Sequence, residues 1–346
     1  MRRAMHRLAA LACTPEPFLP DDIRMIRDNH AAGQPVDIAI VGGGPAGLSA
    51  AIWAARYGYR VVLVDSGDPR NWESRGVNGF LGMPGVRPSE LREKGREELR
   101  AYDVTLIDAA VLRVERNKES AEDERDVILT LYIEQGQSVR ARRVLLAIGM
   151  RDVWPDIPGL AHVYGANAHV CPDCDGYAAS DKRVVVIGHG RRAVAMALAL
   201  TTWTPHITIV TNGCPADIDD DELRQKLDAC NITVRTDVVS QLTHAGEEIV
   251  SLRLASGEDL DIDKLFFTIA QVPGDDLGAQ LQCERDEEGH IVVSEHYATS
   301  VPSVFAAGDI TPGPQLGIRA AAAGAVAAMA MHRSLLPDHR KLTAHD

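Results

Sequence analysis

The sequence predicts an α/β chain made of two parallel-sheet units, and three observations carry that prediction. Two strand, glycine turn, helix, strand cycles open at Gly42 and Gly188, about 146 residues apart. Alanine, valine, leucine and glycine are abundant, which suits helices packed on a parallel sheet. The length of 346 residues matches two domains at roughly 100–200 residues each.

Residues 1–33 read as an N-terminal extension. The stretch starts basic, but His6 and Arg7 interrupt an apolar run too short for a signal-peptide core. A cytoplasmic protein is therefore expected. Pro35-Val-Asp-Ile-Ala-Ile-Val41 reads as a buried strand, being short, branched and apolar. Gly42-Gly-Gly44-Pro45-Ala46-Gly47 follows, then an alanine-rich helix to about Tyr57. Arg60-Val-Val-Leu-Val-Asp65 is a second strand ending in an acid. Residues 66–98 are loop-rich and turn helical from about Pro88. Strands with a charged hairpin are expected from Asp103 to Leu131, and Arg143-Val-Leu-Leu-Ala-Ile-Gly149 is an apolar strand entering a glycine.

The second cycle begins at Lys182-Arg-Val-Val-Val-Ile187 and turns at Gly188-His-Gly190-Arg191-Arg192-Ala193. A helix to about Thr202 and the strand Ile207–Val210 complete it. Further strands are expected at Ile249–Leu254, Leu265–Ala270 and Ile291–Ser294. Val304-Phe-Ala-Ala-Gly308-Asp309 is a strand entering a glycine–acid corner, and a long alanine-rich helix runs from Ile318 to about Leu336. A polar tail, 337–346, ends the chain.

The net charge of −13 argues against a nucleic-acid or anionic-membrane partner. Aromatic residues are only 5%, too few to suggest a base-stacking platform. No apolar run reaches the ~18 residues of a membrane span. Six cysteines in a chain this long do not form a secreted disulfide scaffold, and only Cys171 and Cys174 lie close in sequence.

Glycines in the first turn let the backbone bend tightly and approach a pyrophosphate, while the helix N-terminus offers free N–H groups. Gly42, Gly44 and Gly47 suit those purposes, and Asp65 suits ribose hydroxyls. A ligand-free turn is the bland alternative. The second turn repeats the logic with Gly188 and Gly190, and Arg191 and Arg192 stand near any phosphate there. No acid ends its second strand, where Val210 leads into Thr211-Asn212-Gly213, and no arginine cluster marks a 2′-phosphate. Asp309 reads either as a helix-capping acid or as a ribityl or ribose contact.

Cys171-Pro-Asp-Cys174 leaves three readings open: a redox pair, a zinc site or an inert structural pair. The redox reading needs one thiol to attack and one to resolve, and a nearby helix start favours the thiolate. Asp173 and Asp175 oppose it by adding negative charge. Zinc needs two more ligands, and His169, Cys214, Cys230 and Cys283 show no second CxxC or HxxxH spacing. No metal is expected. The remaining cysteines read as small hydrophobes or surface thiols, and His189 as a side chain pointing away from the turn.

Taken together, Gly42-Gly-Gly-Pro-Ala-Gly47, Leu146-Ala-Ile-Gly149, Cys171-Pro-Asp-Cys-Asp-Gly176, Gly188-His-Gly190 and Thr299-Ser-Val-Pro-Ser-Val-Phe-Ala-Ala-Gly-Asp309 resemble the low-molecular-weight thioredoxin reductase family. The match covers about residues 34–336. The resemblance implies a homodimer of two Rossmann-like three-layer domains, with an FAD domain interrupted by an inserted NAD(P)-type domain carrying the CxxC. The FAD domain would be 34–155 plus 288–336, and the NAD(P) domain 156–287. Cys174 would face the flavin, Cys171 would reach the substrate disulfide, and Asp175 would shuttle a proton. Gly149, Gly308 and Asp309 would lie at the flavin, with Asp309 holding its ribityl chain, and Asn78 falls where the family has a flavin-contacting asparagine.

Three departures point toward a divergent thioredoxin-reductase-like branch that includes dithiol oxidases of the gliotoxin and holomycin type. The basic signature for NADPH is absent at Thr211-Asn-Gly213. The family's Arg-Gln dipeptide beneath the flavin has no counterpart, with Gln315 as its substitute. Arg191-Arg192 replaces a small, acidic segment. The leading expectation is an enzyme passing electrons from NAD(P)H through FAD and Cys171–Cys174 to thioredoxin or a similar disulfide, with ferredoxin as another possible donor. One alternative is a dithiol oxidase using oxygen; another is a non-enzymatic redox sensor or zinc-binding interaction protein.

Overall fold

The computed structural model describes residues 34–70, 74–117, 127–218 and 220–341. The N-terminal extension, the tip of the charged hairpin and the end of the polar tail lie outside the described residues.

The first cycle forms as its periodicity implies. The four-residue strand Val61–Val64 and the second half of Val36–Val41 are fully buried, as parallel strands covered on both faces must be. Six strands lie side by side in the order Val104–Ile107, Val61–Val64, Val36–Val41, Ser138–Leu146, Ile128–Ile133 and Val111–Asn117. The late strand Val304–Ala306 joins them, running parallel to Ser138–Leu146 with Val304 opposite Val144. A segment about one domain's length downstream thus completes the first sheet.

The helix Pro45–Arg56 packs on this sheet and against the final helix Gly317–Leu335. Their approach is close enough that a Cβ at Gly324 would strike the Ala46 carbonyl, so only glycine fits there. Ala50, Ala51, Ala54, Ala323, Ala327 and Ala328 fill the same interface. Small side chains bring the last helix right up to the start of the first.

A second, fully parallel sheet has the order Thr233–Arg235, Ile207–Val210, Val184–Ile187, Lys264–Phe267 and Ala168–His169. A three-stranded antiparallel sheet, Val239–Ala245, Glu248–Leu254 and Asp259–Leu260, stands beside it. The first sheet is mixed, since Ile128–Ile133 runs antiparallel to both Val111–Asn117 and Ser138–Leu146. Between the first and second sheets the chain crosses twice, at Met150–Val153 and Ala270–Pro273, and these crossings pair antiparallel.

Two expected strands differ in the structure. Leu265–Ala270 is divided: Lys264–Phe267 belongs to the parallel sheet, and Ala270 begins the crossing strand. The break falls at Thr268, whose side chain sits where a Cβ on Gly188 would project. Ile291–Ser294 forms only isolated bridges, Arg285 with Ile291 and Val293 with Thr299. The Ser294 hydroxyl accepts from the His296 and Ala298 N–H groups, a local turn that competes with a ladder.

Candidate active site

The first glycine turn is an open cradle. Gly42 has φ +103°, and its N–H donates to the Val64 carbonyl at 2.8 Å, locking the turn onto the neighbouring strand. Around Gly44 the space a side chain would take is empty. Pro45 opens the helix, and no side chain caps it, so the first-turn N–H groups are left for another acceptor. Gly42, Gly44, Pro45 and Ala46 line a cleft of about 1400 Å³. Gly47 does not. A Cβ there would strike the Gly42 carbonyl, so its absence lets helix and turn pack. These features fit the diphosphate of a dinucleotide such as FAD.

Asp65 lines the same cleft and is buried. Its Oδ2 accepts from Arg92 Nε at 3.1 Å and Arg96 Nη1 at 3.4 Å, and its Oδ1 accepts from the Gly67 N–H at 3.2 Å. The carboxylate that sequence assigned to ribose is thus also neutralised by two arginines that sequence did not single out.

Asp309 does not cap a helix, because the next one starts at Gly317. Instead it anchors a half-buried polar network. Arg70 Nη1 donates to Asp309 Oδ2 at 3.0 Å, and Arg70 Nε pairs with Asp152 Oδ1 at 2.8 Å. Arg70 also donates to Gln315, which exchanges hydrogen bonds of 2.8 and 3.0 Å with Gln271. Gln271 donates to Asp152 at 3.0 Å, closing the ring. Burial works against the Arg70 charge, yet the hydrogen bond and field of Asp152, with Asp309, hold its proton affinity above the ordinary value. Gln315, which has no arginine beside it in the sequence, meets Arg70 across space. Gly149, Gly308, Asp309 and Gln315 all face the cleft.

Cys171 and Cys174 are joined as a disulfide in the cleft wall. Cys171 is the N-cap of the short helix Pro172–Asp175, and its Sγ accepts from the Cys174 N–H at 3.2 Å. That donor favours a thiolate on Cys171 once the bond is reduced. The Asn78 amide donates to the Cys174 carbonyl at 3.1 Å and to Asp175 Oδ1 at 3.2 Å. Asn78 therefore holds the cysteine turn as well as lining the cleft. His169 Nδ1 lies 3.4 Å from Asp175 Oδ2. Gly176 follows because the Trp203 ring occupies the space of any Cβ. Among the described residues, the three-ligand grouping able to hold a metal is Asp286, Glu288 and His290, which excludes both cysteines.

The second turn is arranged differently. Gly190, at φ +62°, donates its N–H to the Ala216 carbonyl at 2.9 Å. His189 does not point away, contrary to expectation. Its Nδ1 meets Asp217 Oδ2 at 3.2 Å, because residues 214–218 fold back across the turn. Arg191 pairs with Asp220 at 3.2 Å and Arg192 with Glu288 at 3.3 Å. After the strand Ile207–Val210, Thr211 is buried and the Asn212 side chain accepts from the Val239 N–H at 2.8 Å. Arg192 lines the cleft, but Gly188, Gly190 and Arg191 do not. The Gly190 N–H is thus already engaged by the 214–218 segment, whereas no side chain caps the helix Gly190–Leu200 that follows.

Asp275 also lines the cleft, where burial pushes its carboxyl up to about 6 despite the Leu277 N–H it accepts. No described helix is long and apolar enough to cross a membrane.

Comparison with known proteins agrees with this architecture. A family model described as pyridine nucleotide-disulphide oxidoreductase matches residues 36–324. An NADH dehydrogenase of Ferdinandcohnia aciditolerans is 30% identical over 293 residues, covering 80% of this chain and 53% of that protein. The chain spans about half the length of the curated relatives it matches. Among solved structures, HlmI superposes with a TM-score of 0.82 at 34% identity, covering 88% of this chain and 94% of HlmI. TrxB of Bacillus anthracis, provisionally described as a thioredoxin reductase, gives 0.80 at 27% identity, covering 88% and 100%.

Proposed function

We propose, for a chain that belongs to the pyridine nucleotide-disulphide oxidoreductase family, that Cys171–Cys174 exchanges electrons between a flavin in the cleft and a disulfide substrate. It is an oxidoreductase, and its family uses FAD and NAD(P)H. Family membership sets aside the non-enzymatic sensor reading. The carrying observation is that one cleft holds the open glycine turn, the Asp309 network and the disulfide.

In this reading residues 34–155 and 288–336 hold FAD, and 156–287 carry the CxxC and the nicotinamide site. Gly42, Gly44 and the helix start take the diphosphate, Asp65 the ribose, and Asp309 with Gln315 the ribityl region. FAD, when bound, supplies two-electron transfer to and from the disulfide. Cys174 faces it. Cys171 attacks the substrate sulfur: a new S–S bond forms, the substrate's own S–S bond breaks, and Asp175 takes the Cys171 thiol proton. Cys174 then resolves the mixed disulfide. NAD(P)H is the proposed donor, a thioredoxin-type protein the proposed acceptor and a homodimer the proposed assembly, which light scattering checks.

Anaerobic addition of NADH or NADPH tests the path. Flavin bleaching, followed by recovery on adding thioredoxin disulfide, is expected. No bleaching with either donor sinks this direction of flow. A second reading, oxidation of a small dithiol with electrons passed to oxygen, is favoured by the closed second turn at Gly190 and Ala216. Oxygen uptake on adding a dithiol, with no response to NAD(P)H, selects it.

A further inference from the structure

We infer that His169 is a positioning residue for thiol–disulfide exchange, fixing Asp175 beside the cysteine pair. The inference rests on the reading of Cys171–Cys174 as the exchanging pair.

His169 is only 6% exposed. The parallel ladder places it, opposite Phe266, two residues before Cys171. One ring nitrogen, Nδ1, faces Asp175 Oδ2 at 3.4 Å. The other, Nε2, is buried with no hydrogen-bond partner. Leaving a buried polar atom unsatisfied costs about 1–3 kcal/mol. A residue serving only to fill space against the Phe266 ring, 5.5 Å away, would be better as leucine or phenylalanine. The imidazole therefore answers a need at Asp175.

The His169 ring faces Asp175 Oδ2 at 3.4 Å, while the Asn78 amide donates to Oδ1 at 3.2 Å. The carboxylate thus stands between a hydrogen-bond donor on one oxygen and the imidazole on the other, which holds it toward the pair. The other groups bearing on the pair are few. Lys264, on the neighbouring strand, feels the Asp175 and Glu248 charges while burial pushes its ammonium down, and Lys182 opposes it further. Asp173 and Arg192 line the same cleft. In exchange, as Cys171 bonds to the substrate sulfur, its proton passes to Asp175. The departing substrate sulfur takes a proton in return. His169 decides how readily Asp175 performs both halves.

The test is reduction of the Cys171–Cys174 disulfide by dithiothreitol in the full chain, followed by alkylation and mass measurement. His169→Leu reacts roughly tenfold more slowly at neutral pH. His169→Asn, which keeps a donor at the Nδ1 position, recovers most of the rate. Adding His169→Leu to Asp175→Asn changes nothing further. A His169→Leu rate equal to the unsubstituted one, or a His169→Asn rate as low as that of His169→Leu, overturns the inference. If His169→Leu fails to give a cooperative melt, the pair His169→Asn and Asp175→Asn decides: a His169→Asn rate as low as that of Asp175→Asn contradicts the positioning role. The assay uses neither a nicotinamide nor a protein partner. Absence of flavin bleaching would therefore defeat the proposed electron path while leaving His169 to be judged separately.

Discussion

Arg70 and Asp309, 239 residues apart in the chain, meet at 3.0 Å in the cleft, where Asp152 takes the other edge of the same guanidinium at 2.8 Å. The contact ties the loop after the first cycle to the corner that ends the last strand. It also holds the acid proposed for the flavin in a defined position before any ligand arrives.

Replacing Arg70 with methionine should leave Asp152, whose side chain is 5% exposed, without its charge partner. Breaking a buried pair in this way costs about 3–5 kcal/mol, and the partial exposure of Arg70 places the expected loss at the low end. Lower thermal stability and weaker FAD retention are expected, read by melting curves and by flavin absorbance after gel filtration. Asp152→Asn in the Arg70→Met background should recover part of the loss. Unchanged melting and unchanged FAD retention would refute the assigned role.

The two cysteines should separate by spectrum. Either serine variant should lose more than about a thousandfold of disulfide turnover, as removal of a covalent nucleophile does. With oxidised FAD bound and no reductant added, Cys171→Ser should show a long-wavelength thiolate–flavin absorption, and Cys174→Ser should lack it. The reverse pattern would exchange their roles.

Asp275 makes stability depend on pH in a direction fixed by its raised carboxyl, at about 6 against the ordinary 3.8. Below 3.8 both folded and unfolded chains hold the proton and there is no penalty. As pH rises from there through about 6, the unfolded chain ionises first and the folded state loses up to about 3 kcal/mol. Asp275→Asn keeps the acceptor for the Leu277 N–H and removes that penalty. It should raise the melting temperature at about pH 7.5 and leave it nearly unchanged at about pH 4. An equal effect at both values would show that the Asp275 charge carries no such cost.

At the second turn, Asp217→Asn with Asp220→Asn removes two carboxylates facing His189 and Arg191. A phosphate-bearing donor should then bleach the flavin at concentrations about three- to tenfold lower, NADPH gaining more than NADH. The gain should shrink as salt is raised. Stopped-flow traces against donor concentration check this; identical curves would mean that these acids do not face the nucleotide.

What the sequence made legible was local. The glycine turn at Gly42, the cysteine pair and the Gly308-Asp309 corner are each written within a few adjacent residues, and each takes its backbone form from those residues. At Gly47 the structure shows packing against the Gly42 carbonyl, a purpose that spacing alone cannot tell from a phosphate approach. Arg70 at Gln315, Gln271 at Asp152 and Asn78 at Asp175 are made by topology, and nothing in the residues flanking them announces a partner. His169 sat in plain view two positions before Cys171 as a spare metal ligand. Only burial, with one ring nitrogen facing Asp175 and the other left bare, gives it a different task.

The late return of Val304–Ala306 to the first sheet bears on how the protein is made. A chain emerging from the ribosome presents its glycine cradle and its cysteines long before Asp309 and the final helix exist to enclose them. Arg70 has no Asp309 to meet until 239 further residues have been made. In the proposed reading, flavin capture therefore waits for residue 309, and a product truncated before it would carry the cysteine pair without the cofactor that governs it.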